Sequence, residues 1–315
     1  MSNHTFIKDF QHGQQIPQDY FVCLKKTDRQ TKDGKPYIQF TVSDKSGQID
    51  GKMWENSIKE FGADFAEKMV VVVRGRVELY EGRLQMIADR IAKADPKNYD
   101  SSWFLPQSPV EIADILSEIT GLLSSVKDSG LTKLIGAFFD DPDIIDNFKT
   151  APGATNLHHA YIGGLAHHTL CVMKFCDHLT QLYPSIDRDV LLVAGLFHDI
   201  GKTKENNWDL YFERTDAGEL IGHIIISRDI FLRCAKLVNL DPRLTTHIEH
   251  CILSHHGSYE YGSPKLPMTV EAFALHLADL GDSRMDEYFR MLEKVPEGGS
   301  TDRIKFLDNR KLYRL

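Results

Sequence analysis

The sequence predicts a two-domain protein, all-β over its first 95 residues and all-α beyond a short connection, and three observations carry that expectation. Residues 1–95 hold short runs in which apolar and polar side chains alternate between turn signals such as TKDG and EGR, and alternation with period two marks half-buried strands. Beyond residue 110 apolar residues recur every three or four positions, the spacing of amphipathic helices. Charge changes at the same place: residues 1–95 carry 15 Lys and Arg against 14 Asp and Glu, the remainder 22 against 31. The net charge of −8 thus belongs to the second part, which needs local basic patches or bound cations to hold a polyanion. A length of 315 residues accommodates two domains.

The β elements follow in order. DYFVCLKKTDRQ is a strand, TKDGKPY a turn, and in PYIQFTVSD the residues Ile38, Phe40 and Val42 alternate with Tyr37, Gln39 and Thr41. Then come the strand QIDGKMW, a short helix within ENSIKEFGADFAEK, the strand MVVVVRGRVELY, the turn EGR and the strand LQMIADRIAKA. Five strands with a helix between the third and fourth is the order of an OB-fold barrel. Phe40, in phase with Ile38 and Val42, belongs to the core.

ADPKNYDSSWFLPQSP is aperiodic and rich in Pro, Ser and Asp, so 96–109 is expected to link the domains. Helices follow in VEIADILSEITGLLSSV, LTKLIGAFF and IIDNF, with the helical domain over 110–295 and a basic tail over 296–315 that could touch a nucleic acid or another subunit of a homo-oligomer. The five cysteines form no CxxC pair and, being odd in number, no complete disulfide framework. No segment has the length of a membrane span and MSNHTFIKDF lacks the features of a signal peptide, so a cytoplasmic protein without membrane partners is expected.

Fourteen histidines are present, concentrated between 158 and 276, and their placement points to chemistry. In GGLAHHTLCVMKFCDHL, His168 shares a helical stripe with Leu165, Val172, Phe175 and Leu179, and His167 lies on a neighbouring face. In DPRLTTHIEHCILSHHG, Asp241 is the N-cap and Pro242 the first helical residue, and Leu244, Ile248, Cys251 and Ile252 carry His255 inward. Asp279 sits inside the apolar run FALHLADL, where an unpaired carboxylate is costly and demands a cation or strong hydrogen bonds. LFHDIGK adds His198 and Asp199 at the end of the apolar run VLLVAGLF.

The order H…HD…H…H…D over residues 150–290 resembles the HD-domain superfamily of metal-dependent phosphohydrolases, an all-helical fold. The resemblance implies that His168, His198, Asp199 and Asp279 hold one metal, and that Asp199 bridges to a second held by His223 in IGHIIIS and His255 in LSHHG. Imidazole and carboxylate ligands without cysteine suit Mn²⁺, Fe²⁺ or Zn²⁺, with Co²⁺ and Mg²⁺ as further alternatives, and the family favours Mn²⁺. Lys202, one turn after Asp199, is either a contact to a phosphoryl oxygen, counted with Asp199 as catalytic, or a surface lysine after Gly201. His159, His167, His256 and His276 are candidates to support ligands or contact phosphate.

The N-terminal part resembles OB domains that bind single-stranded nucleic acid, which stack bases on aromatic rings and track the backbone with basic residues. Its candidates are Tyr37, Trp54 and Tyr80 with Lys35, Arg74, Arg76 and Arg83; Lys25, Lys26, Arg29 and Lys32 belong to the same basic set. An OB-like domain followed by an HD domain, with HHAYIGGLAHHTL, GLFHDIGK, GHI, ILSHHG and LHLADLGD, resembles the YhaM family of bacterial 3′-to-5′ exoribonucleases over nearly the whole chain. That family often has a carboxylate at the position of His167. The resemblance implies hydrolysis of single-stranded RNA, or of single-stranded DNA, to nucleoside 5′-monophosphates. The ligand set alone leaves open a phosphohydrolase acting on a small nucleotide with a regulatory OB domain, or an OB binding module with an HD scaffold.

Overall fold

The computed structural model describes residues 4–155, 159–293, 295–307 and 309–315. The chain forms two compact units, one of residues 1–106 with 208–211, the other of residues 107–207 and 212–315.

In the first unit β1 (Gln15–Gln30), β2 (Pro36–Asp44), β3 (Gly47–Trp54), β4 (Met69–Tyr80) and β5 (Arg83–Lys93) form a closed barrel in the order β1-β2-β3-β5-β4. The long β1 closes it by pairing antiparallel with β2 through its second half and with β4 through its first, with register shifts at Ile16/Asp19 and Cys23/Lys25. Between β3 and β5 the pairing is parallel, at Gly51 and Lys52. Gly51 is required there, because a Cβ would lie 2.3 Å from the ring of Phe40. Phe21, Phe40, Met53, Met86 and Ile91 fill the interior, with Phe40 in the core as its alternation predicts. Helix α1 (Glu55–Phe61) ends earlier than ENSIKEFGADFAEK suggests, because Gly62 leaves the helix with φ 71°.

The N-terminal segment is fastened by a buried charge cluster. His4 Nδ1 lies 2.6 Å from Asp19 Oδ1 and Nε2 lies 3.2 Å from Asp44 Oδ2, with the His4 side chain 1% exposed. Burial disfavours its charged form, but the hydrogen bonds to Asp19 and Asp44 outweigh burial and raise its pKa to about 9. Trp103 stacks on the imidazole at 5.1 Å. Residues 96–105, aperiodic in sequence, form two 3₁₀ turns, Pro96–Asn98 and Ser101–Trp103, and their Tyr99, Trp103 and Phe104 pack with Tyr20, Val22 and Val70 of the barrel.

The second unit is helical: α2 (Ile112–Leu123), α3 (Ser129–Phe139), α4 (Pro142–Thr150), α5 (Gly164–Leu182), α6 (Arg188–Phe197), α7 (Lys202–Glu205), α8 (Asp216–Leu220), α9 (His223–Leu237), α10 (Pro242–Ser254) and α11 (Val270–Glu293), with a two-residue ladder of β6 (Asn206–Asn207) and β7 (Glu213–Arg214). Helix α6 is buried from Val190 to Phe197, and α5, α10 and α11 pack around it, so its C-terminal end opens into the middle of the domain. Asp241 caps α10 by accepting from Arg243 N and Leu244 N. One expectation fails on α5: Phe175 is 43% exposed, because the buried stripe runs through Leu165, His168, Val172, Met173 and Cys176 instead. The C-terminal tail closes on itself through bridges Ser300–Tyr313 and Ile304–Arg310, and Arg314 donates to the carbonyls of Leu292, in the last turn of α11, and Val295, just past it. Among the described residues no helix is long and apolar enough to cross a membrane.

Candidate active site

Five helices deliver the histidines and carboxylates to one place. His198 and Asp199 follow the last turn of α6, His168 projects from α5, Asp279 from α11, His255 and His256 from the end of α10, and His223 from the first residue of α9. Their ligand atoms form two groups, His168–His198–Asp199–Asp279 and His223–His255–His256, each with all its atoms within 4.8 Å of one another. Asp199 faces both. Its Oδ2 lies 3.4 Å from His168 Nε2 and 3.5 Å from His198 Nε2, and its Oδ1 lies 3.4 Å from His223 Nε2 and 3.5 Å from His255 Nε2. Asp279 Oδ1 is 3.2 Å from His168 Nε2.

Each of these five imidazoles has its Nδ1 engaged away from the centre. Nδ1 of His198, His255 and His256 lies 2.7 Å from the carbonyl oxygens of Gly195, Ile252 and Tyr261, and a carbonyl only accepts, so Nδ1 carries the proton. His168 Nδ1 lies 2.6 Å from Asp282 Oδ2, and His223 Nδ1 lies 2.9 Å from Glu205 Oε1. Every Nε2 therefore points inward. Burial, with the neighbouring His255 adding to it, lowers His198 and His256 to about 4, so each presents an Nε2 lone pair. In His198 the nearby Asp199 opposes that shift without overcoming it. Nε2 of His198 sits 3.3 Å from that of His168, and Nε2 of His223 sits 3.3 Å from that of His256. Two inward nitrogens at that separation need a proton or a cation between them.

The carboxylates make the same demand. Burial alone would keep them protonated, yet Lys202 and the histidines hold Asp199 well below the usual carboxylate range, and His168 and His255 do the same to Asp279. Burial opposes charge on His168, but Asp199, Asp279 and Asp282 raise its pKa well above 6.5. Asp199 Oδ1 and His255 Nε2 are buried without a hydrogen-bond partner. A buried acceptor beside a buried imidazole nitrogen is an expensive arrangement in a folded protein unless a proton or a cation completes it. The residues fit divalent metal, with the donor set of imidazole and carboxylate that such ions take.

Lys202 is not a surface lysine: it is 7% exposed, and its Nζ lies 2.6 Å from Asp199 Oδ2. It lines a cavity of about 430 Å³ together with Asp199, Asp279, His256 and His276. His276 is pinned by its Nδ1 donating to the His255 carbonyl at 2.8 Å, and its ring lies where Gly257 has no side chain, 2.3 Å from an ideal Cβ. Tyr261, Leu280, Ser283, Arg284 and Glu287 complete the wall, and none of them stood out in the sequence. His256 belongs to the second ligand group rather than to its surroundings. His159 and His167 lie on the far side of His168: His159 Nε2 is 2.9 Å from Asp282 Oδ2, and Tyr161 Oη lies 2.7 Å from His159 Nδ1 and 2.6 Å from His167 Nδ1.

On the barrel, Tyr37, Trp54 and Tyr80 come together. Tyr37 and Trp54 are cross-strand neighbours with ring centroids 5.3 Å apart. Lys52, not singled out in the sequence, sits among all three rings, its Nζ 4.8 Å from Tyr80, 5.5 Å from Trp54 and 6.0 Å from Tyr37. Trp54 and Tyr80 are 39% and 54% exposed. Arg83 is the cross-strand partner of Tyr80, and Lys35 is exposed in the β1–β2 turn. Arg76 is engaged with Glu78 at 2.8 Å and Asp89 at 3.5 Å. Arg74 lies opposite Arg90, and both line a groove with the exposed Phe61. Lys26 is structural: its Nζ donates to the carbonyls of Ala63 and Phe65.

This combination of barrel and buried histidine–carboxylate centre defines a class, and comparison with known proteins agrees. The HD domain family matches residues 165–282, and the OB-fold nucleic acid binding domain family matches residues 23–94. The protein is a hydrolase of the HD class carrying an OB-fold domain. It is 32% identical over 303 residues, 96% of this chain and 95% of the other, to the 3′-5′ exoribonuclease YhaM of Bacillus subtilis (strain 168), and it belongs to the YhaM family. Among solved structures, the second OB-fold domain of replication protein A from Methanococcus maripaludis is 17% identical with a TM-score of 0.24, covering 30% of this chain and 96% of that one. An SSB domain from Synechococcus sp. is 15% identical with a TM-score of 0.22, covering 26% and 99%.

Proposed function

We propose that this protein is a metal-dependent 3′-to-5′ exoribonuclease that removes nucleoside 5′-monophosphates from single-stranded RNA, with two divalent ions, Mn²⁺ first among them, in the helical domain. The observation that carries the proposal is the set of five imidazoles with Nδ1 tied outward and Nε2 turned to Asp199. His168, His198, Asp199 and Asp279 would hold one ion; His223, His255 and His256 would hold the other, with Asp199 between them. Ions bound there would supply Lewis-acid activation of water and of the scissile phosphodiester.

The chain's own residues supply the rest. Lys202, with its cationic form favoured by Asp199 against burial, presents fixed positive charge to a phosphoryl oxygen in the cavity. A cavity of about 430 Å³ suits one terminal nucleotide rather than a duplex. Tyr37, Trp54 and Tyr80 around Lys52 fit the stacking of unpaired bases beside a phosphate-binding cation. The barrel, over residues 1–95, raises the local concentration of 3′ ends at an acidic helical domain over 110–295. A cytoplasmic location fits five cysteines that are all free.

The test is incubation of the full-length protein with 5′-labelled single-stranded RNA or DNA in Mn²⁺, Mg²⁺ or chelator. The expected result is an RNA ladder shortened from the 3′ end with Mn²⁺ and none with chelator. Turnover of free nucleotides without shortening of either polymer would overturn the assignment in favour of a small-nucleotide phosphohydrolase.

A further inference from the structure

Among the five inward-facing imidazoles, two differ from the rest in what stands behind them. His198, His255 and His256 donate from Nδ1 to backbone carbonyls, which are neutral and fixed by the helix ends that carry them. His168 and His223 instead face carboxylates, Asp282 at 2.6 Å and Glu205 at 2.9 Å, and they fall in different ligand groups. We infer that Asp282 and Glu205 are positioning residues, one for each metal group, that fix the ring orientation and raise the donor strength of His168 and His223 separately; the inference rests on the metal-centre reading above. A carboxylate behind a ligating imidazole holds the tautomer with Nε2 available and makes that nitrogen more basic.

Both carboxylates are held for this purpose. Asp282 is 8% exposed, and its Oδ2 is shared between His168 Nδ1 and His159 Nε2, so a second imidazole aims it. His159 occupies the left-handed region at φ 50°, uncommon for a residue other than glycine. Its backbone oxygen would lie 2.0 Å from a Cβ on Gly164 and 3.2 Å from one on Gly153, so both positions are glycine where His159 crosses them. Behind His159, Tyr161 and His167 continue the hydrogen-bonded row. Glu205 is 5% exposed, and its Oε1 accepts from both the backbone N, at 3.1 Å, and the Nδ1 of His223. That double contact fixes the first residue of α9 as well as its ring. Gly218 leaves room for Glu205, whose carbonyl lies 2.2 Å from an ideal Cβ there.

The experiment is cobalt(II) titration of the metal-stripped full-length protein, counting bound ions by equilibrium dialysis and following their visible absorption, for wild type, Asp282→Asn, Glu205→Gln and His223→Gln. Wild type is expected to take two ions per chain, and His223→Gln identifies the absorption of the second. Asp282→Asn should weaken the first ion about 10- to 100-fold and leave the second nearly unchanged, and Glu205→Gln the reverse. Asp282→Glu and Glu205→Asp, which keep the charge, should bind more tightly than the amides and stand in should an amide variant fail to fold. Equal weakening of both ions by either amide, no weakening by either, or carboxylate variants no better than amides would overturn the inference. A folded wild type that takes up no stoichiometric ion would instead overturn the metal-centre reading itself.

Discussion

The helical domain and the barrel each concentrate chemistry on a few side chains, but in opposite environments. At the candidate metal centre every candidate ligand is buried or half-buried, each imidazole Nδ1 is fastened, and two polar atoms lack partners. On the barrel Trp54 and Tyr80 are exposed and Tyr37 and Lys52 half-buried, and among the described residues no barrel side chain holds a buried polar atom without a partner. A buried polar group must be compensated, so its arrangement states what is missing; an exposed ring costs little and states only what it could touch. The two sites therefore differ in how sharply they can be broken.

The largest effect is expected at Asp199, which among the described residues is the carboxylate that faces both ligand groups. Asp199→Ala, or His198→Ala, should lower hydrolysis of single-stranded RNA at least about 1,000-fold, since it removes an interaction on which the reacting centre depends. Binding of the same RNA, read by fluorescence anisotropy, should stay within about threefold. A variant that still shortens 5′-labelled RNA at the wild-type rate would refute the ligand assignment.

Smaller, and confined to the barrel, is a pH dependence of stability from His4. Its pKa is raised to about 9 in the folded protein against 6.5 when unfolded. The cluster with Asp19 and Asp44 thus contributes fully below pH 6.5, and its contribution disappears as pH rises through 9, up to about 3 kcal/mol in all. Urea unfolding between pH 6 and pH 10 should reveal this loss in wild type and a flatter profile in His4→Gln. Equal slopes for the two proteins would contradict the buried ion cluster.

The smallest effects belong to the aromatic surface. Trp54→Ala should weaken single-stranded RNA binding by about 1–3 kcal/mol, the worth of one stacked base. Lys52→Ala should weaken it less and lower the slope of log K against log salt by about one, or slightly less for a single strand. Neither should change the rate on a dinucleotide. Unaltered RNA affinity in both variants would remove this surface from the nucleic-acid path.

The same contrast explains what could be read before folding. Strand alternation from Tyr37 to Val42, the Asp241 cap and the inward course of His168, His255 and Asp279 follow from local periodicity, and the structure bears them out. Phe175 departs from its periodicity because α5 buries the stripe through Met173 and Cys176, a choice made by the packing of α6 and α11 rather than by spacing. Asp282 and Glu205 are not legible in the sequence, because a carboxylate among polar neighbours looks solvated. Their one local signal was spacing, three residues after Asp279 and Lys202 and so on the same helical face. Lys52 looked like the polar half of an alternating strand, and only the neighbouring strands reveal the rings beside it.

The central claim, that two ions sit on either side of Asp199, is tested most directly by crystals of the full-length protein grown with Mn²⁺ and an anomalous difference map. The account predicts two peaks, one among His168, His198, Asp199 and Asp279, the other among His223, His255 and His256 with Asp199 in contact with both. A single peak away from Asp199, or no peak in crystals of protein that hydrolyses RNA under the same conditions, would contradict it.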